Sequence, residues 1–397
     1  MSAILLIIGL FLLVMINVPI AVALGAVALI GMLVSKGFSS VYNAALTMFD
    51  AATSFPLLAI PLFILAGALM NTMFFAEISG SAVADVAAIG SVLIPAMKRR
   101  RYTPELSAAV TSSSASIAII IPPSIAMILY GALSDTSIVQ LFVAGIIPGV
   151  LGGFSMMGLC YWYAVRYDLP REEAFSLRKL WVAFKEAGWA LTLPVIILGG
   201  IFGGIVTATE GAGLAVVAAL FIGGVIYREI NWKHLRKAMI EGVTQTAVVM
   251  LLVATSAVLG LYLTEIQVPQ NFAKWVIGFT SNKLMVLAML NVMLFVVGMF
   301  LHGAAAIILI VPIVMPLVNQ IGINPIQFGL IMTLNIAIGQ QTPPVASVLV
   351  TSCSIAKTDI WETTKVNIPF IGVLVFVLLL VTYFPPVSLT LVNLFYG

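Results

Sequence analysis

Long apolar runs without a charged side chain constrain this chain more than any other feature. Residues 139–163, 284–318 and 325–352 contain no Asp, Glu, Lys or Arg. About 20 apolar residues are enough for one helix to cross a bilayer. Apolar residues make up 62% of the chain and charged residues only 8%, so a soluble enzyme or a nucleic-acid binder is excluded.

The apolar runs are continuous rather than alternating, which excludes a β-barrel. We therefore predict an all-α polytopic membrane protein with roughly ten to twelve helices. The two cysteines, Cys160 and Cys353, have no CxxC spacing, so neither a disulfide framework nor a thiolate metal site is indicated.

Prolines indicate an internal duplication. Two Pro-Pro pairs, Pro122-Pro123 and Pro343-Pro344, each interrupt an apolar run, where they remove two backbone donors and break a helix. In lipid such a break survives only where it faces protein or a water-filled cavity. Five prolines of the first half recur in the second at a constant offset of 221 without a gap, which predicts homologous halves at roughly 1–165 and 186–397: Pro95 and Pro316, Pro104 and Pro325, Pro122 and Pro343, Pro123 and Pro344, Pro148 and Pro369.

Charge predicts that the second repeat is inverted. The loop of residues 98–101 carries four basic side chains, whereas its counterpart at 319–323 carries none. Because basic loops stay on the cytoplasmic side, the two loops lie on opposite sides of the membrane. The basic segments 166–185 and 228–237 fall on the inner side too if the apolar runs 103–133 and 325–352 each cross the membrane once and residues 74–97 and 284–318 form re-entrant hairpins. This topology places both termini outside.

The first half is shorter than the second before its hairpin ends. Gly67 aligns with Gly260 at an offset of 193, against 221 further along. The difference between the two offsets leaves the first half short by roughly 28 residues between Asn71 and Met73. Either the protein has lost this segment or its sequence is longer than the 397 residues given. A hairpin without its first arm would leave backbone polar groups unpaired in lipid, which favours a longer sequence.

Two hairpin tips and two broken helices meet near mid-membrane if the repeats fold about a pseudo-two-fold axis. The tips are residues 77–85 and 302–306, and the breaks are 111–124 and 335–344. Unwound carbonyls suit Na⁺, and half-helix N-termini suit an anionic substrate group. Each feature also has a plain structural explanation, since small residues permit close helix packing and an Asp such as Asp85 can cap a helix.

Two polar positions beside these elements are candidate substrate contacts. His302 at the second tip either binds substrate or is a hydrogen-bonded interior imidazole. The pair Gln340 and Gln341 adjoins the second break, which favours contact with substrate. The sequence has no Walker motif, so ATP does not drive this chain directly.

Three segments resemble the large membrane subunit of tripartite ATP-independent periplasmic (TRAP) transporters: AEISGSAVADVAAIGSVLIPAMKRRRY, IPPSIAMILYG and IGQQTPPVASVL. The resemblance covers essentially the whole chain, and the Gln-Gln variant is similar to sialic-acid transporters of the family. It implies an elevator-type secondary transporter in the bacterial inner membrane with periplasmic termini. It also implies Na⁺ coupling, a small four-helix membrane subunit and a soluble periplasmic substrate-binding protein that delivers an organic acid.

The resemblance further implies a division of the chain and a set of site residues. The division is 1–71 and 187–283 as scaffold, 72–165 and 284–397 as transport-domain halves, and 166–186 as cytoplasmic connector. One Na⁺ site would use Ile78, Ser79, Ser81, Ser114 and Ile121, and the other Gly298, Gly303, Gly339 and Thr342. Substrate would lie near Ser79, Ser124 and His302. Family members often have an acidic residue where His302 stands, which weakens the transfer of substrate details.

Other functions fit parts of the sequence. A stand-alone divalent-anion/Na⁺ symporter of similar fold would work without a binding protein, and an ion channel would show flux without saturation. An intramembrane serine protease would use Ser79 or Ser81 as nucleophile and His302 as base. A protease needs no second matched break, so the repeat favours a transporter.

Overall fold

The computed structural model describes residues 6, 8–10, 12, 13, 16, 18–70, 81–169, 176–228 and 230–397, and no β-strand occurs among them. The first half contains α1 (Ile20–Lys36), α2 (Ser40–Ala52), α3 (Ala59–Met70), α4 (Ala82–Arg99), α5 (Pro104–Ala118), α6 (Ile125–Ser134) and α7 (Ile138–Arg166). The second half contains α8 (Leu177–Phe202), α9 (Ala208–Phe221), α10 (Trp232–Glu265), α11 (Val268–Phe279), α12 (Lys283–Phe300), α13 (Gly303–Gln320), α14 (Pro325–Gly339), α15 (Ser347–Ala356), α16 (Ile360–Tyr383) and α17 (Pro386–Tyr396).

Six helices in the described part of the chain are long and apolar enough to cross a membrane, or seven if the bent pair of residues 40–52 and 55–69 is one span. This is fewer than the ten to twelve predicted from the apolar runs. The runs 103–133 and 325–352 each divide at their Pro-Pro pair into two shorter helices, neither of which is long enough to span alone. Most of the predicted first helix, 3–17, lies outside the described residues.

Helix boundaries follow the duplication closely. Helices α4 and α13 are equal in length, and so are α5 and α14. Each pair keeps the offset of 221 at its first and at its last position. Both breaks contain a cis bond between the two prolines. The structure thus confirms the all-α fold, the duplication and the two Pro-broken helices.

The halves pack on each other reciprocally. Helix α13 of the second half packs against α6 of the first, and α4 of the first half packs against α15 of the second. Two hydrogen bonds also join the halves. The Tyr130 hydroxyl donates to the Pro325 carbonyl at 2.7 Å, and the Thr358 hydroxyl donates to Glu105 at 2.7 Å. Partly buried hydrogen bonds of this kind hold the broken helices of the two halves together.

Helix α10, which also packs against α13, is the centre of a second group that α1, α2, α3 and α9 form. This 34-residue helix packs against α1, α2 and α3, and α3 packs in turn against α9. The Tyr262 ring of α10 lies so close to Gly31 of α1 that a Cβ atom there would overlap the ring, standing 2.9 Å from its Cζ atom. Helix α11 follows α10 and packs against α13. The boundaries between scaffold and transport domain stay a prediction.

Candidate functional site

A cavity of about 400 Å³ lies where the hairpin ends, the breaks and α10 meet. The start of α4, the start of α13 and the ends of α5 and α14 form one side of it. The other side comes from α3 and α10. Its walls are mainly apolar, with five polar side chains among them: Ser81, Thr244, Gln245, His302 and Gln340.

Three helices begin at this cavity. Their first residues, Ala82 of α4, Ile125 of α6 and Gly303 of α13, all line it. At α4 and α13 the residue before the helix makes no side-chain capping hydrogen bond. The first backbone N–H groups of a helix lack intrahelical acceptors, and the helix dipole adds positive potential there. Three convergent N-termini therefore favour an anionic group in the cavity.

The polar side chains extend this preference. His302 is exposed to the cavity, while the Gln340 side chain is buried beside it and accepts a hydrogen bond from Ser347 at 3.4 Å. None of the described residues that line the cavity is acidic. Amide and imidazole N–H groups can donate to carboxylate, sulfonate or hydroxyl oxygens. The arrangement thus suits a small organic anion.

Two lining residues were not predicted from the sequence. Thr244 and Gln245 lie on α10, across the cavity from the hairpin ends. The Thr244 hydroxyl donates to the Ile240 carbonyl at 2.7 Å. The sequence does mark these two residues, because the polar residues 244–246 (TQT) interrupt an otherwise apolar stretch of α10.

Gln341 does not line this cavity, unlike its neighbour Gln340. Its Oε1 accepts from the Ser113 hydroxyl at 2.9 Å and from the Asn367 amide at 3.0 Å. All three side chains are fully buried, and the Gln341 Nε2 atom has no hydrogen-bond partner. The cluster joins α5 of the first half to the second break and α16. Its geometry is that of a buried joint between the halves, and a substrate contact by Gln341 stays a prediction.

The other residues predicted around the first tip lie in different places. Ile78 and Ser79 fall outside the described residues. Ser81 lines the cavity. Ser124 is fully buried, and its hydroxyl accepts from the Met127 N–H at 3.3 Å, so it caps α6. Ser114 and Ile121 are exposed and do not line the cavity, and the first Na⁺ site stays a prediction.

The second predicted Na⁺ set is brought together more closely. Gly298 of α12 and Gly339 of α14 are in backbone contact, since a Cβ on Gly339 would stand 2.6 Å from Gly298 Cα. The Gly339 carbonyl accepts from the Thr342 N–H at 2.9 Å. Gly303 packs against the Gln340 amide, 2.9 Å from the position of a Cβ. Four predicted positions therefore surround one break.

Asn335 adds a side-chain oxygen at the same place. Its backbone carbonyl lies 3.2 Å from the position of a Cβ on Gly298. Its Nδ2 donates to Asn291 Oδ1 at 2.6 Å and to the Ile331 carbonyl at 2.8 Å, but its Oδ1 is buried without a partner. A buried amide oxygen without a donor is costly, and hard cations take oxygen ligands. The residues present therefore fit a Na⁺ ion.

Comparison with known proteins places these features in a family. The model of the DctM component of tripartite ATP-independent periplasmic transporters matches residues 7–73 and 71–387. The isethionate TRAP transporter permease protein DctMQ of Oleidesulfovibrio alaskensis is 37% identical over 94% of this chain, which spans 64% of that protein. The C4-dicarboxylate TRAP transporter large permease protein DctM of Pseudomonas aeruginosa is 36% identical, with 89% of this chain and 90% of that protein covered.

These alignments are longer than the part of the chain that they cover. The alignment with the isethionate permease protein runs over 405 positions, whereas 94% of 397 residues is about 373. The alignment with the C4-dicarboxylate permease protein runs over 384 positions, whereas 89% of the chain is about 353. Each relative thus has about 30 aligned positions without a counterpart here.

A solved structure shares the fold. The YdaH transporter of Alcanivorax borkumensis superposes with a TM-score of 0.54 over 91% of both chains at 13% identity. That likeness concerns architecture alone. The family model and the relatives together cover nearly all of the sequence, and the chain is therefore a multi-span membrane protein that belongs to the DctM family of TRAP transporter permeases.

Proposed function

We propose that this chain is the large permease subunit of a Na⁺-coupled transporter that takes up a small organic anion. The observation that carries the proposal is the cavity at which three helix N-termini meet His302 and Gln340. Helix N-termini and neutral N–H donors recognise carboxylate or sulfonate oxygens without requiring a bound metal. The family is one of transporters and not an enzyme class.

The substrate belongs to the anions that bear one or two acidic groups. The names of the two relatives above refer to isethionate, which is a sulfonate, and to C4-dicarboxylate. Sialic acid, a sugar carboxylate suggested by the Gln340-Gln341 pair, has the same acidic group. Because no acidic side chain lines the described cavity, all three chemistries fit its potential.

Na⁺ would bind at the second break, held by Asn335 Oδ1 and the carbonyls around Gly298 and Gly339. An ion bound there would supply positive charge that offsets part of the charge of the substrate anion. Entry of two Na⁺ with a monoanion moves one net positive charge, worth about 2.3 kcal/mol at 100 mV. A tenfold Na⁺ gradient adds about 1.4 kcal/mol for each ion. The sum of about 5 kcal/mol supports accumulation of more than about a thousandfold.

The reciprocal packing of the halves supports an elevator mechanism. Helices α4, α6, α13 and α15 are tied across the two repeats, while α10 packs with α1, α2 and α3. The tied helices would move as one body against the α10 group and carry the cavity across the bacterial inner membrane. A small four-helix subunit would hold the scaffold, and a periplasmic binding protein would deliver the anion.

Uptake into proteoliposomes tests the proposal. The chain is reconstituted with its small subunit and assayed with labelled isethionate, fumarate and sialic acid, with and without a Na⁺ gradient and the binding protein. We expect uptake of one of these only when all components are present. Uptake with Na⁺ but without the binding protein indicates a stand-alone symporter, and no saturation indicates a channel.

The two histidines of the chain provide a matched pair of variants. His302→Ala removes a donor at the cavity, whereas His234→Ala changes an exposed residue of α10. A hydrogen bond to a charged group is worth about 1.5–3 kcal/mol, so KM is expected to rise about 10- to 100-fold for His302→Ala. KM should stay unchanged for His234→Ala. Equal KM values in both variants would remove His302 from the site.

Substitutions of Asn335 test Na⁺ binding separately from substrate binding. Asn335→Leu removes the unpaired oxygen, and Asn335→Asp keeps an oxygen there. We expect the rise in melting temperature caused by Na⁺ to vanish in Asn335→Leu and to persist in Asn335→Asp. A full Na⁺ effect in Asn335→Leu would place the ion elsewhere.

One variant separates transport from proteolysis. Ser81 and His302 line the same cavity, as a serine protease would require. Ser81→Ala abolishes peptide cleavage if Ser81 is a nucleophile. Under the proposal, the purified wild-type protein and the Ser81→Ala variant both cleave no peptide.

A further inference from the structure

Gln245 gives the cavity a hydrogen-bond donor that comes from α10 rather than from a hairpin end or a break. Its side chain is exposed and makes no hydrogen bond to any of the described residues. The neighbouring Thr244 hydroxyl already donates to the Ile240 carbonyl, so towards a ligand it can only accept. Polar side chains in membrane helices are costly unless they face the bundle interior or a water-filled cavity. Gln245 is therefore placed to donate to a ligand oxygen.

The first half has no equivalent of this donor. At the offset of 193 that aligns Gly67 with Gly260, residues 40–69 of α2 and α3 correspond to residues 233–262, which lie within α10. Residues 244–246 (TQT) then correspond to residues 51–53 (AAT). Thr246, which does not line the cavity, keeps a threonine as its counterpart, whereas both lining residues have alanine. Within this triplet the repeats differ only at the residues that line the cavity.

Gln245 also lies nearer to the basic end of α10 than to the other end. Lys237, the last residue of the basic segment, is eight positions before it. Glu265, which pairs with Lys36 of α1 at 2.7 Å, is 20 positions after it. The distances along the helix axis are about 12 and 30 Å. The positive-inside rule assigns the basic end to the cytoplasm, so the predicted topology puts this part of the cavity in the cytoplasmic half of α10.

We propose that Gln245 contacts the transported anion only while the cavity faces the cytoplasm, and that this one-sided contact favours the inward movement of the loaded transporter. The inference rests on the proposed function, from which it takes the anion and the movement of α4, α6, α13 and α15 against the α10 group. It adds a residue outside the moving helices that binds the anion in one state and not in the other.

The symmetry of the repeats explains why the contact is one-sided. The pseudo-two-fold axis of inverted repeats lies in the membrane plane, so it exchanges the two sides of the membrane. It carries the place of Gln245 to that of Ala52, at the end of α2, on the periplasmic side. A cavity that opens to the periplasm would meet this alanine in place of the amide. The methyl group of alanine has no donor for an anion.

A one-sided hydrogen bond gives the anion a direct influence on the movement. A ligand that binds one of two states more tightly shifts the equilibrium towards that state by the ratio of its two affinities. One hydrogen bond to a charged group corresponds to a ratio of about 10- to 100-fold. The bound anion would therefore draw the moving helices inwards. The Na⁺ gradient, rather than weaker binding, would then drive release.

Uptake can measure the affinity on each side of the membrane separately. Proteoliposomes with the small subunit are given whichever of labelled isethionate, fumarate and sialic acid the wild type takes up. The external binding protein engages only the transporters of one orientation. The half-saturating external concentration reports the outer affinity, and the unlabelled internal anion that halves uptake reports the inner one.

The variants follow from the geometry. For Gln245→Leu we expect the internal concentration that halves uptake to rise about 10- to 100-fold and the external one to change less than about twofold. Gln245→Glu, which puts a negative charge in the same place, should weaken inner binding further. Thr246→Val is the matched control, one residue away and not in the cavity wall, and should leave both concentrations unchanged. A purely structural role of Gln245 would alter the rate or the melting temperature but not the ratio of the two concentrations.

A disulfide trap follows the movement without the binding protein. A Cβ atom on Gly260 of α10 would stand 4.0 Å from the Cβ atom of Pro312 of α13, a separation that a disulfide spans. Gly260→Cys and Pro312→Cys are combined in a background without Cys160 and Cys353. In detergent with Na⁺, we expect the anion to speed formation of this disulfide at least about threefold when Gln245 is present and not at all with Gln245→Leu.

Three outcomes overturn the inference. Equal rises of the internal and external concentrations in Gln245→Leu would show a contact in both states. Unchanged concentrations on both sides would remove Gln245 from the path of the anion. Equal acceleration of the disulfide with and without Gln245 would separate the residue from the movement. Absence of uptake by the wild type would instead be a failure of the proposed function, and the inference would fall with it.

Discussion

Replacement of Gly339 by alanine probes the closest backbone approach near the second break. The added Cβ would stand 2.6 Å from Gly298 Cα and 2.8 Å from Met299 N, and ordinary contact begins at 3.4 Å. All of these neighbours are backbone atoms, so no side chain can rotate away. Helices α12 and α14 would have to separate by roughly 1 Å to relieve the still shorter contact with the Gly298 carbonyl carbon, and overpacking of this kind costs about 1–3 kcal/mol.

Gly372→Ala is the matched control. It also lies in an apolar helix of the second half, but its Cβ would meet nothing within 4 Å. Alanine is the better helix former there by about 0.5–1 kcal/mol. We expect the melting temperature in detergent to fall by about 3 °C or more for Gly339→Ala and to stay level or rise for Gly372→Ala. Equal melting temperatures would refute the close approach of the two backbones.

Two further substitutions test single hydrogen bonds. Tyr130→Phe removes the donor to the Pro325 carbonyl and should lower the free energy of unfolding by about 1–3 kcal/mol. Tyr396→Phe, near the exposed end of α17, should leave the free energy of unfolding unchanged, and an equal loss in both variants contradicts the hydrogen bond of Tyr130. Thr207→Ala removes the capping box with Glu210 and should cost about 1 kcal/mol, seen as faster hydrogen exchange in the first turn of α9; unchanged exchange speaks against the cap.

The sequence predicts the broken helices well because their signal is local. A Pro-Pro pair breaks a helix wherever it stands, and the constant offset of 221 carries that break, with the bounds of its helices, from one half to the other. The direction of single side chains is different. Gln340 and Gln341 are adjacent, yet one faces the cavity and the other a cluster with Ser113.

Gln340 and Gln341 follow the end of α14, where the chain turns into the second break, so their partners depend on how the helices around the break are placed. Gln245 shows a related limit. It lines the cavity from α10, and the repeat pattern in the sequence does not indicate that α10 lies beside either break. Ser124 shows a different limit. It lies beside a break, as a substrate contact would, but its hydroxyl accepts the N-cap hydrogen bond of the next helix. Local patterns find the elements, whereas the cavity depends on contacts between distant ones.

The reciprocal packing of α13 on α6 and of α4 on α15 has a consequence for the origin of the chain. When element i of one copy contacts element j of the other, and j contacts i in return, the interface is isologous, as in a two-fold dimer. The fused halves keep that arrangement with one copy upside down. An unfused ancestor could therefore build the whole cavity from two identical chains inserted in opposite orientations, and neither copy alone would enclose it.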